Sequence, residues 1–211
     1  MNGEEKSNAY EKIILTLKLE EKEILNIPFN ENREITVKVV DDGDETISLL
    51  SDWRNEYGEW FNSKFEVTFE KTKKWVNNIL KNQQRILFLI KYNSQKIGHF
   101  GLDDFNAKDN SIFISDVIRG KRGFAPGLME IVLNHFIRWI FINLKISIVR
   151  LRVFHDDEKA ILLYTKCGLK KISSTNMKKI TTDEGWKWIE SDDKTSERFL
   201  DIMEIRKPDE S

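Results

Sequence analysis

The chain has 211 residues, 40% of them hydrophobic and 11% aromatic, enough for one domain with a real core or one domain with an appendage. Its 34 basic and 35 acidic side chains leave a net charge of −1, which speaks against a general nucleic-acid binder. A single cysteine, Cys167, excludes an intrachain disulfide and fits a reducing compartment.

Residues 1–34 are charge-rich and read as an N-terminal appendage of unknown role, in which "KIILTLKL" alternates like a strand. The acidic, polar start is unlike a signal peptide, and the most apolar run, "FIRWIFINLKISIV", is too polar to span a bilayer. A soluble, cytoplasmic protein is the expectation, with no nucleic-acid or membrane partner. "ITVKVV" is a strand candidate, followed by a helix capped by Asp44 or Thr46. Thr68 caps a second helix, with Trp75, Val76, Ile79 and Leu80 at helical spacing.

"RILFLIKY" and "KIGHFGLDDF", joined by "NSQ", read as a hairpin, and "SIFISDVI" as the next strand. A basic, glycine-bearing turn, "RGKRGFAPG", then opens a helix running to about Leu144, with a further strand in "ISIVRLRVF". "DDEKAILLYTKCG" is a short helix ended by Gly168. "GLKKIS" and "FLDIMEI" are strands separated by a charged, tryptophan-bearing loop. The strand–turn–helix–strand unit predicts a right-handed parallel crossover between 111–118 and 146–154 within a mixed sheet.

The turn has the chemistry of an anion cradle: small residues, free first-turn amides, and Arg119, Lys121 and Arg122. Gly127 is followed by Leu128, so the Walker pattern fails, and Gly120, Gly123 and Gly127 are misspaced for a dinucleotide loop. The same turn resembles the pyrophosphate loop of the GNAT superfamily of acyl-CoA-dependent N-acetyltransferases, Gln/Arg-x-x-Gly-x-Gly/Ala. Gly123-Phe124-Ala125 matches its second half, while Gly120 stands at the first basic position and Arg119 one residue early. "VFHDDEKAILLYTKCGLKK" is similar to the family's later motif at Ala160, Tyr164, Lys166 and Gly168, with Asp157 in place of Asn and Leu169 in place of Phe.

The resemblance implies a mixed α/β fold: a predominantly antiparallel sheet flanked by helices, with one parallel pair splayed at the acetyl-CoA site. The domain would cover residues 35–207, leaving 208–211 as a tail. Acetyl-CoA would be the cosubstrate, with no metal. The backbone of Val117, Ile118 and Arg119 would bond the pantetheine arm. The amides of Gly123, Phe124, Ala125 and Gly127 would hold the pyrophosphate, beside Arg122. Tyr164 would be the general acid, and Asp157 a pantetheine contact as well as a helix cap.

His99 and Asp116 are candidates for base or acceptor contacts, with Asp103, Asp104 and His155 also near strand ends. His135 and Cys167 read as structural. The segment around "DWRNEYGEWF" resembles the subgroup that acetylates nucleotide-linked amino sugars, and also the ribosomal-protein and polyamine acetyltransferases, with Trp53 and Trp75 as core or acceptor-site residues. The implied activity is direct acetyl transfer to a small primary amine, for which an amino sugar carried on a nucleotide is preferred. A protein N-terminus or a polyamine is the alternative acceptor, and a catalytically inactive CoA-binding or interaction module the alternative class. The assembly could be a homodimer.

Overall fold

The computed structural model describes residues 2–30, 33–123, 125–192, 196 and 198–208. Among these, five α-helices flank one ten-stranded sheet. In chain order the elements are α1 (Gly3–Leu19), β1 (Glu23–Asn30), β2 (Arg33–Val39), α2 (Asp44–Glu56), β3 (Ser63–Phe65), α3 (Phe69–Lys81), β4 (Ile86–Tyr92) and β5 (Gln95–Asn106). Then come β6 (Ser111–Arg119), α4 (Leu128–Trp139), β7 (Ile148–Phe154), α5 (Glu158–Lys166), β8 (Lys170–Thr182), β9 (Gly185–Glu190) and β10 (Arg198–Arg206). A π-turn at Ile140–Leu144 extends α4, and a 3₁₀ turn at Gly58–Trp60 precedes β3.

The strand order is β1-β2-β4-β5-β6-β7-β10-β8-β9-β3, and every pairing is antiparallel except β6 with β7. The fold is therefore the mixed, mostly antiparallel α/β architecture with one parallel pair. β4 shows why the sheet sits centrally: Ile86, Phe88 and Ile90 enter one core, while Leu87 and Leu89 enter the other. A strand buried on both faces needs an unbroken apolar run, and "ILFLI" supplies it. The first core packs α1 and α4 against the sheet, with Phe136 wedged against Phe88 and Phe100 at ring-centroid distances of 5.4 and 4.2 Å. The second packs α2 and α3 through Ile47, Leu50, Trp53, Val76 and Ile79.

The parallel pair is short, and its shortness makes a cleft. β6 and β7 pair only from Ser111↔Ile148 to Ile114↔Leu151, yet β6 runs on to Arg119 and β7 to Phe154. Beyond Ile114 the two strands splay, and residues 115–119 keep a strand partner only on the β5 side.

Three expectations from sequence are corrected. "KIILTLKL" belongs to helix α1, where Tyr10, Ile14 and Leu17 recur at helical spacing and are buried in the first core. Its apparent alternation comes from apolar residues on more than one helix face, Leu15 and Leu19 being exposed. Helix α2 is capped by Gly43 without a side-chain bond; Thr46 lies inside the helix, and its hydroxyl donates to Asp41. The tryptophan-bearing loop near the C-terminus folds as β9 with the far half of β8, a hairpin continued by β3. These are half-exposed strands at the sheet's end, where charged residues mask the period-2 signal.

Candidate active site

A cleft of about 1340 Å³ opens at the splay and is lined from the basic turn to the loop before β3. On one side it is walled by β6, β7 and the starts of α4 and α5, and on the other by α2, the 58–67 segment and α3.

The turn wall is built by backbone geometry. Gly123 and Gly127 have φ of +89° and +78°, with nothing within 4 Å of where a Cβ would stand. These left-handed conformations suit glycine and leave the backbone open to a bulky anion. Ala125 takes a φ of +46° in the same turn. Phe124, expected to contribute an amide, lies outside the described residues. Arg122 lines the cleft with its guanidinium 4.4 Å from the Tyr57 ring centroid. Arg119 turns inward on the loop: Nε donates to Lys121 O and Nη2 to Ala125 O, both at 3.2 Å. Gly120 explains the displaced arginine, because a Cβ there would come under 3.0 Å from three atoms of the Trp53 indole. Trp53 is 4% exposed and has no room to yield. The position that carries a basic residue in the loop pattern is closed here by a tryptophan.

The later motif supplies the rest of that wall. Asp157 caps α5 by accepting from the Ala160 amide at 3.0 Å. The helix ends in a Schellman motif, with Leu169 N donating to Tyr164 O at 3.1 Å and Gly168 N to Thr165 O at 2.9 Å. Tyr164 is thereby pinned by its own carbonyl while its side chain lines the cleft, 7% exposed. Burial, with the nearby charges of Asp157 and Cys167, raises its phenol far above the ordinary tyrosine value. Cys167 is buried, its Sγ 3.8 Å from Glu130 O, and burial pushes the thiol up to about 11. Such a thiol is a poor nucleophile at neutral pH.

At the inner end of the cleft stand His99, Asp103 and Asp116. Asp116 occupies a β-bulge: Ser115 pairs with Gly101 and Ile118 with His99, so two residues of β6 face one of β5, and Asp116 takes a φ of +51°. A bulge re-aims side chains, and here it turns the carboxylate toward Arg85, whose Nη2 donates to Asp116 Oδ2 at 2.7 Å. Arg85 Nε lies 3.9 Å from Asp103 Oδ2. Asp103 Oδ1 is buried without a hydrogen-bond partner among the described residues. Burial raises the Asp103 carboxyl above the usual range, helped by Asp104 and Asp116 and opposed by Arg85.

His99 is 2% exposed, between Trp53 at 6.1 Å and Trp75 at 6.5 Å. Burial lowers its imidazole to about 4, against the pull of Asp116, and its Nδ1 has no partner among the described residues. His99 is neutral at physiological pH. Trp53 is thus core and Trp75 cleft wall. Asp104 pairs with Arg152 on the surface, His155 with Asp201, and His135 with its own helix at Ile131 O, so none of the three enters the cleft.

Several cleft residues carry no sequence motif. Arg54 lies 3.8 Å over the Phe61 ring and donates to Ser63 O at 2.7 Å. Tyr57, Trp60 and Lys71 complete that rim. Arg85 reads in sequence as one more surface cation ahead of a strand. Among the described residues, no group of three or more histidine, cysteine, aspartate or glutamate side chains is placed to hold a metal.

A parallel pair that parts over a glycine-bearing basic turn defines an acyl-CoA-binding α/β domain. A family model for the acetyltransferase (GNAT) domain matches residues 41–193, and the chain belongs to the GNAT family. It is an acetyl-CoA-dependent N-acetyltransferase, with acetyl-CoA as cosubstrate. It is 24% identical over 122 residues to acetyltransferase PseH of Campylobacter jejuni subsp. jejuni serotype O:23/36 (strain 81-176), covering 57% of this chain and 74% of that protein. The structure of spermidine N-acetyltransferase from Vibrio cholerae in complex with CoA and spermine matches with a TM-score of 0.65. Its identity is 15%, over 82% of this chain and 95% of that one. Ribosomal-protein-S5-alanine acetyltransferase from Vibrio fischeri matches with a TM-score of 0.63 and 12% identity, over 88% of this chain and 98% of that one. At these identities the two structures establish the fold.

Proposed function

We propose that the enzyme transfers the acetyl group by direct attack, in a ternary complex, to the primary amine of an amino sugar carried on a nucleotide. The observation that carries this reading is that one cleft is lined by the basic turn, by a pair of carboxylates, Asp103 and Asp116, and by Arg54 and Lys71. The carboxylates suit a cationic amine; the arginine, lysine and aromatic side chains suit an anionic, planar extension. A polyamine would find its ammonium seat but would meet Arg54 and Lys71 with its remaining charges.

The roles follow from position. The open edge of Val117, Ile118 and Arg119 bonds the pantetheine arm, and one amide near Val117 polarises the thioester carbonyl. Gly123, Phe124, Ala125, Gly127 and Arg122 hold the pyrophosphate. Arg119 keeps its backbone role, while its guanidinium braces the turn. Asp157, committed to its cap, offers its second oxygen to the arm. Asp116 and Asp103 seat the ammonium and take its proton, which frees the nitrogen lone pair for attack on the carbonyl carbon. His99, neutral and with no partner at Nδ1 among the described residues, is an acceptor contact. As the carbon–sulfur bond breaks, the thiolate takes a hydrogen bond and then the proton from Tyr164, and the second proton shed by the attacking nitrogen returns the strongly basic phenolate to phenol by way of solvent.

Free-thiol release from acetyl-CoA, followed with a panel of nucleotide-linked amino sugars, free amino sugars, spermidine and peptides, tests the proposal. Amine-dependent release fastest with the nucleotide-linked sugars is expected. Release that is fastest with spermidine or a peptide would replace the acceptor, and CoA binding without release for any amine would replace the enzyme by a binding module.

A further inference from the structure

We propose that helix α1 is a positioning element of the amine seat: it grips the 82–85 linker and thereby fixes the Arg85 guanidinium against Asp116 and Asp103. The proposal rests on the reading of that carboxylate pair as the seat, and it gives residues 1–34 a task.

The linker joins α3 to β4 and is held from outside at three points. Lys18 Nζ donates to Ile79 O at 2.6 Å and also to Asn82 O, closing the C-terminal end of α3. Tyr10 OH donates to Gln84 O at 3.3 Å, and Gln84 Nε2 donates to Glu11 Oε1 at 2.9 Å. All three grips fall within six residues of Arg85. The Tyr10 ring also stacks on Phe105, 4.5 Å between centroids and 17° from parallel, two residues beyond Asp103 in β5.

The helix does not need these polar contacts in order to dock. Tyr10, Ile14 and Leu17 already bury its apolar stripe in the first core. The contacts serve the linker instead, and the linker needs them. Arg85 Nε is buried with no hydrogen-bond partner among the described residues, and its Asp103 contact is long at 3.9 Å. One direct hydrogen bond to Asp116, with the guanidinium 5.9 Å from the Trp75 ring centroid, holds the side chain at its far end. Its near end is set by the backbone at Gln84, which α1 clasps.

Arg85 matters because it stands between like charges. Asp103, Asp104 and Asp116 are neighbours, with Tyr10, His99 and Ser115 alongside and Arg54 acting on Asp116. If Arg85 drifts, Asp103 loses a countercharge and ionises at higher pH.

The test is a carboxyl-carbon NMR titration of the full chain, free of acceptor, for the wild type, K18M/E11A, R85Q and all three changes together. K18M/E11A should raise the apparent midpoint of Asp103 in the direction R85Q raises it, by about half a pH unit or more. The same pair of changes should add nothing once Arg85 is gone, and K18R/E11Q should restore the wild-type curve. Thermal unfolding accompanies each variant; if K18M/E11A unfolds, Y10F replaces it, removing one hydroxyl while keeping the ring. Midpoints unmoved in a folded K18M/E11A or Y10F variant, or an equal shift in the R85Q background, would overturn the brace. The seat is tested separately: D103N and D116N should each raise KM for the amine without changing KM for acetyl-CoA, and an unchanged amine KM would overturn the seat reading alone.

Discussion

The displaced arginine of the basic turn gives a sharp test of how the site is built. Replacing Gly120 by alanine puts a Cβ under 3.0 Å from Cε2, Cδ2 and Nε1 of Trp53. That indole is 4% exposed and lies against the His99 ring, so it cannot swing away. Overpacking of this kind costs about 1–3 kcal/mol. For a chain of this length, about 2 kcal/mol lowers Tm by roughly 4–8 °C, read by differential scanning calorimetry. The collision is specific, so G120A in a W53F background, where the smaller ring leaves space, should cost less than in the wild type. A coupling of about 1 kcal/mol between the two changes is expected. G120R, which restores a basic residue to the register of the loop pattern, should destabilise further and should not tighten CoA binding. A G120R protein as stable as wild type with tighter CoA binding would refute the argument that Trp53 closes this position.

Tyr164→Phe should lower kcat by about 10²-fold or more while leaving the CoA dissociation constant unchanged, by stopped-flow and calorimetric titration. Arg122→Glu should weaken CoA on the order of tenfold, most at low salt, in the same titration. His99 ionises near 4 in the fold against 6.5 unfolded, so the unfolded chain binds its proton first as pH falls. Its contribution is present above about 6.5 and is lost between roughly 6.5 and 4, amounting to about 3 kcal/mol. H99Q should therefore show a flatter stability profile than wild type across that window in urea titrations.

The chemistry-bearing half of the fold was legible because it depends on local rules. Asp157 and Thr68 cap the helices they were expected to cap, and Gly168 ends α5 where a glycine is needed. The short parallel pair followed from a strand–helix–strand unit, whose connection leaves few alternatives. What was hidden depends on contacts between distant segments. Nothing near Gly120 announces that Trp53, 67 positions earlier, will fill its side-chain space. Arg85 acquires meaning only when a bulge at Asp116 turns a carboxylate toward it. The strands β3 and β9 at the sheet's end were missed because they are half exposed and polar residues are frequent in them. Helix α1 was misread because five leucines and isoleucines in eight residues fit alternation as well as they fit a helix, until tertiary packing selects one face.

The most direct test of the bipartite cleft compares one amino sugar with and without its nucleotide as acceptors for acetyl-CoA. The kcat/KM for the nucleotide-linked sugar should be about 10²-fold higher, an advantage that shrinks as salt screens Arg54 and Lys71 and falls further in R54A. Equal kcat/KM for the two sugars, or an advantage indifferent to both salt and Arg54, would contradict the bipartite cleft.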